Sequence, residues 1–420
     1  MKNTWMGLVI LLCPLPAVAA DDPSLLAAEA IRANPGVEAM RARAEELAKL
    51  AEVAGTWRDP SFGIEYLNAP VDSFRIDDSP MSGLQFQLKQ KLPEWGWSKA
   101  SKEVARRRSA ASRHGAAEAE VQLRRNVEQL FWRLSLSNML REVTREHLER
   151  TSDLLDAVRT HYEVGHAGQS AVLRLTILRD RLADDLGDFE RADRKLSAGL
   201  NQALARPQQN RFETPLRASP LAVEGGASAW LTQAKAQRPE LARIREEVEV
   251  ERRAAELARI SIRPDFDLWF KYRLRTVDTP LDDGTDFITL GVSLPIPWNS
   301  RKRGLGEEAA RLEGARGARA RLASALDAVE SELIAIEATW QRAHEKATRY
   351  HEALIPAAHA TLEMTLSDFS VGRADFSSLY ESEVTLLQLE KTYLAATIET
   401  HLQRADARAT VGLTTLEEKP

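Results

Sequence analysis

Cysteine is nearly missing from this sequence: Cys13 is the only one in 420 residues. A disulfide framework and a thiolate metal site are both excluded. A basic excess is missing too, because 57 Lys and Arg stand against 62 Asp and Glu. A dominant nucleic-acid partner would need the opposite balance. Aromatic residues make up only 6% of the chain. No stretch beyond the N-terminus approaches the roughly 18 apolar residues of a transmembrane helix. Catalytic signatures are absent as well: there is no Gly-x-Ser-x-Gly elbow, no His-Glu-x-x-His and no phosphate-cradling glycine loop. The sequence reads as a non-enzyme that needs no cofactor.

The first twenty residues carry Lys2, an apolar stretch from Met6 to Val18, and small residues Ala17, Ala19 and Ala20 before Asp21. This is the pattern of a secretory signal peptide over 1–20, with cleavage expected after Ala19 or Ala20. Pro14 and Pro16 break its apolar core, which is too short to span a bilayer. Cys13 falls inside this leader, so the mature chain is expected to contain no cysteine.

Two stretches alternate with period two. From Phe266 the even positions are Phe266, Leu268, Phe270, Tyr272 and Leu274, and the odd positions include Asp267, Lys271, Arg273 and Arg275. The alternation resumes at Ile288, Leu290, Val292 and Leu294. Each run predicts a strand with one apolar and one wet face. A charged wet face suits a water-filled lumen, with lipid on the other side. Subtracting 204 carries Pro264 to Pro60, Phe266 to Phe62, Leu290 to Phe86, Val292 to Leu88 and Arg238-Pro239 to Asn34-Pro35. One offset held over such a length is an internal duplication. The alternation puts Phe62, Phe86, Leu88, Phe270, Leu290 and Val292 toward lipid, and Gln85, Gln87, Lys271 and Arg273 toward the lumen.

The rest reads as helix. Residues 98–163 contain no proline and one glycine, Gly115. As a single helix that run would extend about 100 Å, a length typical of coiled coils rather than globular helices. Helix gives way near Gly165, a return helix follows, and the second half repeats the plan with a turn near Gly372. The resulting division is a first repeat over 21–205 with its strand pair in 60–93, a linker over 206–227, a second repeat over 228–413 with its strand pair in 264–297, and a tail over 414–420. The fold class is mainly α with a small membrane β part. The second turn lies 372 − 165 = 207 residues after the first, which places three extra residues in the second long helix. Pro356 is expected to kink or break that helix.

Eight histidines invite a metal reading. His344, His351 and His359 are seven and eight residues apart, too loose for helical ligand pairs, which sit at i,i+4. They read as a polar helix face, and no metal site is expected. His161 and His166 flank the first turn. Trp57, Trp95, Trp97 and Trp298 lie beside strand ends, where they serve either as an interfacial belt or as packing between helix and sheet.

The leader, the duplicated helix–strand–strand–long-helix plan and the twin turns Tyr162-Glu163-Val164-Gly165 and Phe369-Ser370-Val371-Gly372 resemble the TolC-like outer membrane efflux proteins. The proline-ended strands, Leu92-Pro93 and Leu294-Pro295-Ile296-Pro297, are most similar to the heavy-metal branch typified by CzcC and CusC. The resemblance implies a homotrimer in the outer membrane of a Gram-negative cell. Each subunit would add four strands to a twelve-stranded barrel and long antiparallel helical hairpins to a periplasmic α-barrel. Its implied partners are a periplasmic adaptor (membrane fusion) protein, an inner-membrane RND-type transporter and outer membrane lipid, with no nucleic acid. The implied adaptor-docking tips are Val164, Gly165, Ser170, Val371, Gly372, Arg373 and Ser377. The implied periplasmic gate is Asp375 and Glu381, with Ser378 where the family carries an acidic residue. The function this implies is an exit duct of a tripartite efflux pump for heavy-metal cations. The alternatives are a drug-efflux or type I secretion duct, and a periplasmic coiled-coil scaffold.

Overall fold

A computed structural model describes residues 21–75, 77, 79, 81–164, 168–275, 285–296 and 298–413. The predicted leader with Cys13, Gly165 and His166 at the first turn, Pro297 and the tail over 414–420 lie outside the described residues.

Proline punctuates the helices. Helix α1 (Pro23–Ala33) starts behind Asp22, whose carboxylate accepts from the Ser24 amide at 2.8 Å. It stops because Asn34 precedes a proline, which disfavours helical geometry there; Asn34 is extended, with ψ 121°. Helix α2 (Pro35–Val53) follows, then strands β1 (Ser61–Leu67) and β2 (Gly83–Leu92). Helix α3 (Trp97–Glu163) runs unbroken for 67 residues, and α4 (Gln169–Ala203) returns. Helices α5 (Ala227–Gln237) and α6 (Pro239–Ile260) are divided by extended Arg238, again before a proline. Strands β3 (Phe266–Leu274) and β4 (Phe287–Ser293) follow. The second long helix is α7 (Ser300–Arg349), a π-helical turn over Tyr350–Leu354 and α8 (Ile355–Ser370), and α9 (Phe376–Val411) returns. The π-turn lies immediately before Pro356, where a proline ring would clash with a carbonyl of an α-helix. Widening the backbone to i→i+5 bonds takes up extra residues without ending the helix.

The four strands form one antiparallel sheet in the order β1-β2-β3-β4. In the first hairpin Gly63 pairs with Gln87. The shift of 204 carries these two positions to Asp267 and Gly291, which do not pair with each other. Asp267 pairs with Ser293, and Gly291 pairs with Trp269. The register of the second hairpin is therefore offset by two residues. An even offset keeps every side chain on its own face, whereas an odd one would invert them all.

The chain divides into two compact units that cut across the duplication. One consists of Gln122–Gly226 and Ile334–Ala409 with the N-terminal stretch to Asn34. Its first core joins Leu26, Ala30, Val127, Phe131, Leu200 and Phe212. Its second joins Leu154, Leu155 and Val158 of α3 to Leu175 of α4, Leu362 of α8, and Leu379 and Leu386 of α9. Within this unit residues 206–226 form a strap. Ser135 Oγ of α3 donates to Pro215 O at 2.8 Å, and Asn138 Nδ2 donates to Thr214 Oγ1 at 2.8 Å. Trp340 Nε1 of α7 donates to Leu221 O at 2.8 Å, and the Leu221 amide donates to Thr400 Oγ1 of α9 at 3.0 Å. His401 stacks on Trp132 and reaches Ser219 O through Nε2 at 3.1 Å. Burial holds its pKa down to about 4, so it stays neutral.

The other unit consists of Pro35–Val121 and Ala227–Leu333 with the C-terminal stretch from Thr410. It contains the sheet and a core of Ala234, Leu241, Val329, Leu333 and Val411. Where α2 hands over to β1, Gly55 has φ +78°, and a Cβ there would lie 2.2 Å from Ser98 O. Left-handed strain alone costs about 1–3 kcal/mol for a non-glycine residue. Gly55→Ala is expected to lower the thermal unfolding midpoint of the detergent-solubilised protein clearly, and an unchanged midpoint would show that this contact does not constrain the fold.

Candidate functional site

The sheet sorts its residues by chemistry across all four strands. Phe62, Leu88, Phe270 and Leu290 form one row. Ile64, Phe86, Tyr272 and Ile288 form the next, with the Phe86 ring stacked between Phe62 and Tyr272 at 6.4 and 6.5 Å. Leu268 and Val292 extend the same face. Most of these side chains are exposed, Leu290 at 77% and Phe62 at 65%, while Phe86 and Tyr272 are half-buried. An apolar surface this continuous is not stable in water.

The opposite face carries Gly63, Gln87, Lys271 and Thr289 in one row and Glu65, Gln85, Arg273 and Phe287 in another, the Phe287 ring lying beneath the Arg275 guanidinium. Its polar groups pair across strands: Gln85 Nε2 donates to Glu65 Oε2 at 2.9 Å, Lys89 lies 3.4 Å from Asp267, and Lys91 pairs with Asp265. Trp269 covers Gly291 on this side, and a Cβ at Gly291 would meet its ring at 2.3 Å. The six residues read as lipid-facing thus share one face, and the four read as lumen-facing share the other.

The hairpin ends are built by helix termination. Gly372 has φ +73°, a conformation that favours glycine at a helix C-terminus. Its amide donates to Phe369 O at 3.0 Å, and the Arg373 amide donates to Asp368 O at 2.8 Å. These paired bonds close the last turn of α8. Asp375 then caps α9: its Oδ1 accepts from the Ser378 amide at 3.0 Å and from Ser378 Oγ at 2.6 Å, and the Ser378 bonds hold its carboxyl below the usual range. Val164, Ser170, Val371, Gly372 and Arg373 are exposed, while Ser377 is half-buried. The His161 ring lies 5.5 Å from Phe369, so the two hairpin ends stand side by side. Glu381 is exposed one turn into α9, and Asp375 is occupied as a cap.

Sequence reasoning missed a buried ionic clasp. His147 of α3 is 1% exposed, and its Nδ1 lies 2.6 Å from Glu383 Oε1 and its Nε2 2.8 Å from Glu390 Oε2, both on α9. Arg150 lies 3.4 Å from Glu383, and His359 of α8 lies 3.2 Å from Glu390. The partners are 236 and 243 residues apart, so no local pattern announces them. Both ring nitrogens can donate to carboxylates only in the imidazolium form. Burial pulls the His147 pKa down, but the two carboxylates together outweigh it and hold it above its ordinary value. Burial likewise raises Glu390, yet the hydrogen bond and charge of His147 carry it below the usual range. His351 stacks on Tyr393. Among the described residues no group of three or more His, Cys, Asp or Glu side chains converges as a metal ion requires.

Residues 26–206 match the family model described as Outer membrane efflux protein. The solved outer membrane protein VceC of Vibrio cholerae is similar to this chain with a TM-score of 0.75 at 13% identity, covering 93% of this chain and 96% of VceC. The fold is TolC-like. CusC matches with a TM-score of 0.71 at 14% identity, over 97% of this chain and 98% of its own. The CmeC outer membrane channel of Campylobacter jejuni matches with 0.74 at 12% identity, over 94% and 86%. No curated protein matches the sequence. The family match ends where the strap begins, so the second repeat is joined to this fold by structure rather than by the family's sequence pattern.

The clasp sets a pH dependence. A raised His147 pKa gives stability that is complete below the ordinary histidine value and is lost as pH rises through the shifted one. A lowered Glu390 pKa gives stability that is lost as pH falls through it. His147→Gln removes the imidazolium and leaves Glu383 to Arg150 and Glu390 to His359, and is expected to cost about 2–3 kcal/mol near pH 6. In thermal unfolding the gap to wild type should narrow as pH rises above the ordinary histidine range, and a gap that stays constant would refute a charged clasp.

Proposed function

We propose that this chain is the outer membrane exit duct of a tripartite efflux pump, acting as a homotrimer in a Gram-negative cell. The observation that carries this reading is the four-stranded sheet with one apolar face, one charged face and open edges at β1 and β4. Four strands cannot enclose a lumen, and an open edge is not viable in lipid. Three copies give twelve strands, an even number in the usual range. The match of residues 26–206 to the outer membrane efflux family supports the same reading.

The duct is passive: it performs no chemistry and couples no energy. Its partners are a periplasmic adaptor and an inner-membrane RND-type transporter. The hairpin ends, with Val164, Gly165, Ser170, Val371, Gly372, Arg373 and Ser377, form the adaptor-docking surface. Glu381 lies at the entrance, where an acidic ring from three copies would favour cations; Asp375 supports it as the helix cap. The resemblance of the proline-ended strands to the heavy-metal branch is what supports heavy-metal cations as cargo.

Cysteine reporters test the barrel directly, because Cys13 falls in the predicted leader. Lys271→Cys should react with a water-soluble thiol reagent in reconstituted protein, while Leu290→Cys should be protected. The reverse pattern would refute the orientation. Gly372→Val tests the tips: Gly372 has open space around its Cβ position but a positive φ, so valine strains the turn rather than the core. Trimer yield should stay near normal while adaptor crosslinking and efflux resistance are lost. Full resistance with intact crosslinking would remove the tip from the docking surface.

A further inference from the structure

The two rims of the sheet differ in charge. Antiparallel pairing brings the starts of β1 and β3 and the ends of β2 and β4 to one rim, since Ser61 pairs with Lys89, Leu92 with Phe266 and Asp267 with Ser293. The segments that join β1 to β2 and β3 to β4 in sequence are acidic: residues 68–82 contain three Asp and one Arg, and residues 275–286 contain four Asp and one Arg. The helix-bearing rim is cationic. Arg58 stands three residues before β1, Lys99 seven after β2, Arg263 three before β3, and Arg301-Lys302-Arg303 open α7 after β4. All six are exposed.

This rim is built firmly. Arg263 donates to Trp95 O at 3.2 Å, Gln90 donates to Arg58 O at 2.9 Å, and Gly304 packs against Ile262. Exposed tryptophans accompany the cations, with Trp95 at 88% and Trp298 at 86% exposure. Lys99, Arg301, Lys302 and Arg303 have no side-chain carboxylate partner among the described residues, unlike the cations on the helix shafts, such as Arg107 and Arg243. Their charge faces solvent in the single chain.

We propose that this rim is a collar for anionic phospholipid headgroups, with Lys99 and Arg301-Lys302-Arg303 holding the phosphates and the tryptophans seated at the interface between headgroup and chain. The occupant is lipid rather than a soluble polyanion because the cations border an apolar sheet face directly and alternate with indoles, which favour the interfacial zone. Lys and Arg beside an anionic surface gain from its potential. The inference rests on the reading of the sheet as a membrane barrel and adds which lipid chemistry its helix-bearing rim selects.

The test uses the full chain reconstituted into two kinds of vesicle, phosphatidylcholine alone and an equimolar mixture with phosphatidylglycerol. Wild type is compared with the triple variant Arg301→Gln/Lys302→Gln/Arg303→Gln and with the charge-keeping Arg301→Lys/Arg303→Lys. Lipid retained after extraction is counted by native mass spectrometry, and sheet insertion is scored separately by protection of Leu290→Cys. Wild type should retain phosphatidylglycerol over phosphatidylcholine, the triple variant should lose at least roughly fivefold of that preference, and the lysine variant should keep it. Equal retention by the triple variant, with insertion intact, overturns the collar alone. Retention abolished by millimolar inorganic phosphate marks a free-anion site and also overturns it. Failure of Leu290→Cys protection in both vesicles overturns the barrel reading instead.

Discussion

The sheet depends on parity. Each strand turns its side chains alternately to two sides, and four strands agree on which side is apolar only if every pairing is offset by an even number of residues. The first hairpin, the central β2–β3 pairing and the second hairpin all satisfy this, although the two hairpins differ in register by two residues. The difference of two residues between the hairpins is a shift that preserves the faces. Main-chain bonds inside the sheet satisfy the interior strands, which leaves β1 and β4 as its edges.

The helical parts obey a different rule. Long shafts such as α3 are not held by propensity alone but by cores spaced along them, one around Phe131 and Leu200 and another around Leu155, Leu175 and Leu386. Polar contacts add to these cores: the clasp at His147, and the pair of Arg125 with Asp406. A buried imidazolium between two carboxylates adds little net stability compared with apolar packing, but it fixes the register of α3 against α9, because any slip separates charges in a dry place.

Periodicity made the strands and their faces legible, because the alternation is local and each strand carries it separately. Proline made the α1–α2 break legible, because Asn34 is constrained by the next residue; the same constraint at Arg238 divides α5 from α6, where the sequence reads as one continuous helix. The proline within the second long helix pointed to an irregularity, and a π-turn precedes it at Tyr350–Leu354. What the sequence did not disclose is long-range. Nothing near His147 names Glu383 or Glu390, since an isolated histidine in a helix of Arg and Glu looks like one more polar position. The stretch 206–227, rich in Pro and Gly, read as a plain linker, yet Thr214, Pro215, Ser219 and Leu221 are each anchored to a helix. Asp375 read as a gate carboxylate, and its position as the α9 cap follows from where the helix begins.

The strap has a mechanical consequence. Its main chain is bonded to α3 through Ser135, to α7 through Trp340 and to α9 through Thr400 and His401. A slide of any one of these helices by a single turn, about 5.4 Å, would tear its bonds to the strap. The strap therefore acts as a splint against axial shear. Helix motion within this unit is left with bending and swinging about the splinted level, a hinge set by hydrogen bonds rather than by glycine.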